Sequence, residues 1–354
     1  MSEVLFQDST DPVKTDHRDI DQNLALLLGE SARQAPPVNS RAGHSQPALW
    51  QKVPEVSADN PTYYDRPLLK EPVWKIYVPA YYFIGGAAGA ALALGAAAQT
   101  RGSEDLSDLV RRAHWVGIIG SSMGGVLLIL DLGRPSRFLN MLRVFRPTSP
   151  MSVGAWILAI TAPAAITAGL FARSHTWLRG VGEAAGYISG VMGLALATYT
   201  GVLVAGSAIP VWQESRRTLP LLFGASAVAS AGAILDLFDQ NERSAAVTRT
   251  YTLVGRIAEL SAAWVMEAEA SRVPRVAKPL REGPSGILWR SAAAFTGASL
   301  LISLLPRQTR FRRALSGALA LLGSASLRFA VHQAGTQSAR DPRAAFHLQR
   351  VPRD

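Results

Sequence analysis

Eight long apolar segments dominate this chain between residues 73 and 332. A helix that crosses the hydrocarbon core of a bilayer needs roughly 17–25 mainly apolar residues. Inside lipid the backbone must satisfy its own hydrogen bonds, so such segments fold as helices. The sequence therefore predicts an all-α integral membrane protein with eight transmembrane helices. They are expected at about 73–98, 114–130, 153–172, 181–209, 219–237, 247–268, 288–305 and 314–331.

The two ends of the chain differ in composition from this membrane domain. Residues 1–60 are polar, rich in Pro, Asp, Ser and Gln, and show no sustained apolar period. Such a stretch cannot bury enough apolar surface to offset the entropy of folding. We therefore predict a disordered N-terminal tail at 1–60, a membrane domain at 61–336 and a C-terminal tail at 337–354.

Charge and composition exclude several classes of function. The net charge is +10, but the arginines cluster between apolar segments, which favours lipid headgroups over nucleic acid. The chain has no cysteine, so it cannot hold an iron–sulfur cluster on thiolates. Only His114 and His332 lie near spans, each at an end, which argues against a bound haem. No group of His, Asp and Glu has the spacing of metal ligands, so no metal site is predicted.

Small residues are dense in the first, second and fifth spans, where glycine, alanine and serine follow one another. Small residues at i and i+4 let helix backbones approach closely in lipid. This pattern predicts a compact packing of the spans and says nothing about chemistry.

The loop at 131–152 between the second and third spans combines a carboxylate, Asp131, with four arginines: Arg134, Arg137, Arg143 and Arg146. Arginines alone would indicate a loop that binds headgroups. The carboxylate beside Gly-Arg-Pro is less typical of a simple lipid anchor. The loop is therefore interpreted as a docking surface for a partner, or as the wall of a site at the membrane edge.

Phenol groups lie at the start of the first span and within the fourth. Tyr77 fits the aromatic belt at a membrane interface. Tyr81 and Tyr82 lie about a turn deeper, where a phenol needs a hydrogen-bond partner, and they could donate to a quinone carbonyl. For Tyr199 in the fourth span, a bond between helices and a contact to a ligand are equally compatible with the sequence.

Charged residues also lie inside the spans. Arg256 and Glu259 share one face of the sixth span, which is the most polar of the eight, and Glu183 lies in the fourth. A pair that ties two helices together is one interpretation, and a proton relay that includes Asp236 or Glu183 is the other.

Several motifs, in order and spacing, resemble the NrfD/polysulfide-reductase family of membrane subunits. The resemblance runs from about residue 61 to the C-terminus. It rests on YYDRPLLKEPVWK (63–75), YYFIGGAAG (81–89), DLGRPSRF (131–138), PTSPMSVG (147–154), YTGVL (199–203), PVWQE (210–214) and RFAVHQAG (328–335).

The resemblance implies two four-helix bundles and a quinone, menaquinone or ubiquinone, bound in the first bundle. It implies electron exchange with a four-cluster, ferredoxin-like iron–sulfur subunit that contacts a catalytic subunit, which can be of the molybdopterin type. It also implies the plasma (inner) membrane, as in anaerobic respiration. Tyr199 matches the tyrosine of the family's span-four motif. Some members use a histidine at the start of span one, where this chain offers Lys75, Tyr77 and Tyr81 instead.

We therefore expect a quinone pocket formed by Tyr77, Tyr81, Asp131 and Tyr199, with Lys75 nearby and Asp131 as a proton acceptor. One alternative is an ion- or proton-translocating bundle or a transporter, in which Glu183, Arg256 and Glu259 form the relay. Another is a structural anchor that binds its partner without turnover.

Overall fold

The computed structural model describes residues 13–15, 18–21, 26–28, 68–171, 174 and 176–345, apart from the side chain of Arg137. The chain divides into two units, Met1–Pro54 and Glu55–Asp354. In the first unit, strands β1 (Val13–Thr15), β2 (Arg18–Asp21) and β3 (Leu26–Leu28) pair antiparallel in that order. The rest of the predicted tail at 1–60 lies outside the described residues, so its disorder stays a prediction.

The second unit is helical. Its helices, in chain order, are α1 (Tyr77–Gln99), α2 (Ser107–Asp131), α3 (Pro150–Phe171), α4 (Leu178–Ala205), α5 (Pro210–Glu214), α6 (Thr218–Asp236), α7 (Glu242–Ala270), α8 (Pro274–Arg281), α9 (Gly283–Leu304) and α10 (Arg310–Ala339). Short 3-10 helices cover Glu104–Leu106 and Pro135–Leu142.

Among the described residues, seven helices are long and apolar enough to cross a membrane: α1, α2, α3, α4, α6, α9 and α10. The sixth of the eight predicted spans corresponds to α7, which has 29 residues but does not belong to that group. The reason is its polarity, since Arg256 and Glu259 interrupt its apolar face and further charges occupy both its ends. Length alone would allow α7 to span a bilayer.

The eight long helices of the described chain pack in two rings. In the first, α1 and α3 each pack against α2 and α4. In the second, α6 and α9 each pack against α7 and α10. The rings meet where α6 packs against α1 and α4, and where α10 packs against α1.

Close backbone contact between these helices depends on glycine, as the small-residue pattern predicts. A Cβ atom at Gly89 of α1 would overlap with the carbonyl oxygen of Gly193 in α4. A Cβ atom at Gly255 of α7 would lie 2.5 Å from the backbone nitrogen of Ala229 in α6. Larger side chains at these positions would force the helices apart and remove the contacts that hold them together in lipid.

Two polar contacts fix the segment before α1. Arg340, just after α10, donates two hydrogen bonds of 2.8 and 2.9 Å to the carboxylate of Glu71. The backbone N–H of Lys75 donates a 3.0 Å hydrogen bond to Oδ1 of Asp131 at the end of α2. The chain is thus held against both rings immediately before it enters α1, and Trp74 is placed between these two anchors.

Candidate functional site

A cavity of about 490 Å³ opens among α1, α2, α3 and α4. Most of its wall is apolar, and the part from α3 consists of Met151, Ala155, Leu158, Ala159, Ala162 and Pro163. Polar atoms enter it from a few side chains only: Trp74, Tyr81, Tyr82, Ser121, Ser122, Asp131 and Tyr199. An apolar slot with a few convergent polar groups is typical of a small-molecule site.

The loop between α2 and α3 closes one side of this cavity. Its 3-10 helix directs Phe138, Met141 and Leu142 inward, and all three line the cavity. Leu139 points away and is 72% exposed. Ser149 accepts a 3.4 Å hydrogen bond from the backbone N–H of Ser152 and thus caps the start of α3. The loop is therefore a wall of the cavity, one of its two predicted roles.

Three phenol groups converge in the cavity. Tyr81 and Tyr82 of α1 are buried, and Tyr199 of α4 is 9% exposed. Tyr81 and Tyr199 are close enough to interact, but the Oη atoms of Tyr81 and Tyr82 have no hydrogen-bond partner within the described chain. A buried hydroxyl without a partner is costly. These two hydroxyls are therefore suited to donate to a ligand oxygen.

Glycines shape the space around these rings. A Cβ atom at Gly154 of α3 would overlap with the ring and hydroxyl of Tyr199. A Cβ atom at Gly124 of α2 would lie 3.0 Å from the ring of Tyr81. The positions of Tyr199 and Tyr81 thus each depend on a glycine of the helix that the ring faces.

The structure brings Asp131, Tyr81 and Tyr199 together, as the sequence predicts. It places two other predicted residues differently. Tyr77 is half-buried at the first residue of α1 and does not line the cavity. Lys75 is exposed, and its described contact with the site is the backbone N–H that holds Asp131.

The predicted docking arginines lie on the surface of the loop. Arg134, Arg143 and Arg146 are exposed, and within the described residues none of them forms an ion pair. The side chain of Arg137 and residues 61–67 of the segment before α1 lie outside the described residues. Exposed Val144 and Phe145 accompany the arginines, so this surface is both cationic and apolar.

The charged residues of the spans separate into two environments. Glu183 lies near the start of α4, where its carboxylate accepts a 2.8 Å hydrogen bond from Arg179 and its side chain is 46% exposed. Arg256 and Glu259 of α7 are buried. Glu259 accepts 3.2 Å hydrogen bonds from Ser324 of α10, so α7 and α10 are joined by polar contacts in their interior.

Arg328 of α10 is a buried charge whose importance the sequence analysis missed. It donates a 2.6 Å hydrogen bond to the carbonyl oxygen of Phe223, and its guanidinium lies 3.9 Å from the centre of that ring. It interacts electrostatically with Glu259 and with Tyr82 at the cavity. An arginine inside an apolar span was the available signal, since such residues face the protein interior.

Trp74 also lines the cavity and was missing from the prediction, whereas Tyr82 was named as a possible donor but not included in the predicted pocket. Trp74 stacks on Trp212 of α5 at 6.2 Å and on His332 of α10 at 6.3 Å between ring centres. Trp212 is fixed in turn, because its Nε1 donates a 2.9 Å hydrogen bond to the carbonyl oxygen of Val331. The second ring of helices thus supports the cavity through an aromatic stack.

No group of three or more His, Asp or Glu side chains that could hold a metal ion occurs within the described residues. The chemistry available at the cavity therefore comes from phenols, one carboxylate and an apolar wall. That set can hold a planar, largely apolar molecule by its oxygen atoms and can accept or release a proton at Asp131.

The polysulphide reductase NrfD family model matches residues 68–338, which is most of the chain. No curated protein matches this chain. The match includes the whole cavity and all ten α-helices up to Ser338, and the apolar helices make this a multi-pass membrane protein. The chain belongs to the NrfD family, whose members are membrane subunits of quinone-linked oxidoreductases.

Proposed function

We propose that this chain binds a quinone or quinol in the cavity among α1–α4 and exchanges electrons between the membrane quinone pool and an iron–sulfur partner subunit. The observation that supports this most directly is the pair of buried Tyr81 and Tyr82 hydroxyls without partners. They line an apolar cavity of about 490 Å³ together with Tyr199 and Asp131. Menaquinone and ubiquinone both present the carbonyl oxygens that such donors need.

Each residue of the site has a distinct part in this proposal. Tyr81, Tyr82 and Tyr199 donate hydrogen bonds to the ligand oxygens, and the α3 wall excludes water. Asp131 accepts a proton at the cavity edge, where the backbone N–H of Lys75 holds its carboxylate in place. A bound quinol supplies two electrons and two protons.

Electrons must leave the chain close to this cavity. With no cysteine in the sequence, thiolate-bound clusters have to belong to another subunit. We assign that role to a four-cluster, ferredoxin-like subunit that in turn contacts a catalytic subunit, of the molybdopterin type in one form of such complexes. It would dock on the loop surface of Arg134, Arg143 and Arg146, directly outside the cavity wall.

The same proposal includes eight membrane crossings and two four-helix bundles in the plasma (inner) membrane. The ring formed by α1–α4 and the ring formed by α6, α7, α9 and α10 support it. In this arrangement α7 also crosses, because its charged face lies against α6, α9 and α10 rather than lipid. The cavity belongs to the first bundle, and the buried charges belong to the second.

Replacement of Tyr199 by phenylalanine tests the quinone site, since it removes one hydroxyl and keeps the ring. Loss of a neutral hydrogen bond should cost about 0.5–1.5 kcal/mol of binding, which is a several-fold rise in the apparent KM for quinol. The assay is quinol-dependent reduction of the co-purified iron–sulfur partner. Tyr187→Phe, on the exposed side of α4, is the matched control. If Tyr199→Phe and Asp131→Asn both behave as wild type, the site lies elsewhere.

Reversal of charge tests the docking surface. Arg143→Glu combined with Arg146→Glu should release the iron–sulfur subunit during purification in mild detergent while the membrane domain stays folded. Arg101→Glu, at a residue that is exposed on the loop between α1 and α2, reverses one charge away from this surface and should retain the partner. Retention by the double variant at moderate salt would assign these arginines to lipid headgroups.

Ion translocation is the second candidate function, and one observation favours it. Buried polar and charged groups continue from the cavity into the second ring of helices. Arg328 lies near Tyr82 of the cavity wall and near Glu259. Arg256 interacts with Glu259 and with Asp236, the last residue of α6. Intramembrane charges in such a series are typical of proton relays.

The two functions can be separated in proteoliposomes that contain the complex. Glu259→Gln should abolish acidification or alkalinisation linked to quinol oxidation while it leaves partner reduction near the wild-type rate. Glu183→Gln serves as the control, because Glu183 is paired with Arg179 near the start of α4. Unchanged proton movement in Glu259→Gln would show that Arg328, Glu259, Arg256 and Asp236 have a structural role and do not carry protons.

A further inference from the structure

A second cavity, of about 100 Å³, lies where four helices of the second ring end. The end of α6, the end of α9 and the first two turns of α10 meet residues 249–256 of α7 there. One water needs about 10–15 Å³ of such volume, so the cavity has room for a group of several atoms. Its polar lining is Asp236, Arg249, Thr252, Arg256, Ser303, Gln308, Arg313 and Ser316.

The charges of this cavity do not balance. Asp236 interacts electrostatically with Arg313, Arg256 and Arg249. Arg256 also interacts with Glu259, which lies outside the lining of this cavity, so the three guanidinium groups still outnumber the carboxylates near them. Arg256 is buried and needs partners there, whereas Arg249 is exposed. The cavity is thus suited to receive an anion.

Unused donor groups point to the same conclusion. Arg256 is 3% exposed, and its Nε atom has no hydrogen-bond partner within the described chain. The Nε atom of Arg313 is likewise buried without a partner in that part of the chain. The bond from Arg256 to the carbonyl oxygen of Ser299 is long, at 3.4 Å. Guanidinium groups with free N–H donors recognise oxyanions through paired hydrogen bonds.

The walls of this cavity are fixed by the protein itself. Gln308 donates hydrogen bonds to the carbonyl oxygens of Ile302 and Ser303 at 2.9 and 3.1 Å, and to that of Leu305. Thr309 accepts a hydrogen bond from the backbone N–H of Arg312 and caps α10. Arg313 lies in that first turn, where the helix dipole also favours a negative ligand.

We propose that this cavity is a binding site for a phosphate-type oxyanion, held by Arg313, Arg256 and Arg249. The inference goes beyond the proposed quinone function, since this cavity and the one among α1–α4 are lined by different residues. The ends of α6 and α9 and the start of α10 put it near headgroup depth, so the oxyanion is either free phosphate or the phosphate of an anionic lipid. Basic pockets between transmembrane helices bind such headgroups.

The first arm of the test uses inorganic phosphate. The full chain in neutral detergent should gain thermal stability as phosphate replaces chloride at constant ionic strength. Arg313→Gln should raise the phosphate concentration that gives half of the stabilisation about tenfold, as expected for the loss of a charged donor. Arg310→Gln is the control, because Arg310 lies in the same turn of α10 with 83% of its side chain exposed. It should respond as wild type does.

The second arm uses nanodiscs of phosphatidylcholine with or without phosphatidylglycerol, followed by native mass spectrometry. Retained phosphatidylglycerol in wild type but not in Arg313→Gln would assign the site to a lipid headgroup. A response to phosphate alone would assign it to the free anion.

Arg249 is exposed, so Arg249→Gln provides a second variant if Arg313→Gln does not fold. If wild type and the folded variant respond alike in both arms, or wild type responds in neither, the proposal is wrong. Quinol-dependent reduction of the partner, measured on the same samples, reports separately on the first cavity and should stay at the wild-type level.

Discussion

Gly154 is the position where a single methyl group tests how the cavity is built. In the structure a Cβ atom at this residue of α3 would overlap with Cε2, Cζ and Oη of Tyr199 in α4. Gly154→Ala therefore forces either the phenol or the helix to move. Tyr199 borders a cavity of about 490 Å³, so its ring has space to swing, whereas α3 is packed against both α2 and α4.

The expected loss of stability follows from the fact that the Tyr199 ring can move, whereas α3 cannot. An added methyl group in a packed interior costs about 1–3 kcal/mol. Alanine in place of glycine inside a helix returns about 1 kcal/mol. Since the ring can move into the cavity, we expect a net loss of unfolding free energy of about 0–2 kcal/mol. The quinol site should suffer more, with a rise in apparent KM of about ten- to a hundred-fold, because the displaced ring also takes up space that the ligand needs.

The assay measures thermal unfolding in detergent and quinol-dependent reduction of the partner on the same preparation. Gly297→Ala in α9 is the matched control, because no heavy atom lies within 4 Å of a Cβ at that residue. It should raise stability by up to about 1 kcal/mol and leave the KM unchanged. Adding Tyr199→Phe to Gly154→Ala should have little further effect. An unchanged KM in Gly154→Ala, beside a raised KM in Tyr199→Phe, would refute this account of how Tyr199 is positioned.

Three further predictions follow from the packing. Glu71→Gln should lower the unfolding free energy by about 1–2 kcal/mol, because it breaks the paired hydrogen bonds from Arg340, which is partly exposed. An unchanged denaturation midpoint would show that this contact does not hold the segment before α1. Arg328→Met should lower the unfolding free energy by about 3–5 kcal/mol, because the buried carboxylate of Glu259 loses a neighbouring positive charge. Adding Glu259→Gln should restore at least about 1 kcal/mol of it, and strict additivity of the two changes would argue against coupling. Reporter fusions should place both termini on the same side of the membrane, and termini on opposite sides would show that α7 does not cross.

Helix ends mark one limit of the sequence analysis. The second span is expected at 114–130, but α2 begins at Ser107. The sixth is expected at 247–268, but α7 covers Glu242–Ala270. In both cases the extra turns carry charged residues, which a search for apolar segments leaves out. Hydropathy indicates the length of chain that lipid surrounds, whereas backbone hydrogen bonds determine where a helix ends.

Site residues show a second limit. Tyr81, Asp131 and Tyr199 could be predicted to share a site, because a phenol or carboxylate within or beside a span must meet protein or ligand. Glu183 and Arg328 are both charges within predicted spans, yet Glu183 pairs at an exposed helix start and Arg328 is fully buried. Nothing in their local sequence separates these two outcomes.

The sequence by itself determined the helical membrane architecture, the family, the close approach of small residues and three of the polar groups at the cavity. Each of these follows from local composition or from spacing along one helix. Only the tertiary structure decided that Trp74 lines the cavity, and that Phe138, Met141 and Leu142 are the residues of the loop helix that face it. It alone grouped Arg249, Arg256 and Arg313 around Asp236. The physical reason is that helical periodicity fixes which residues share a face, while packing between helices distant in sequence fixes what that face meets.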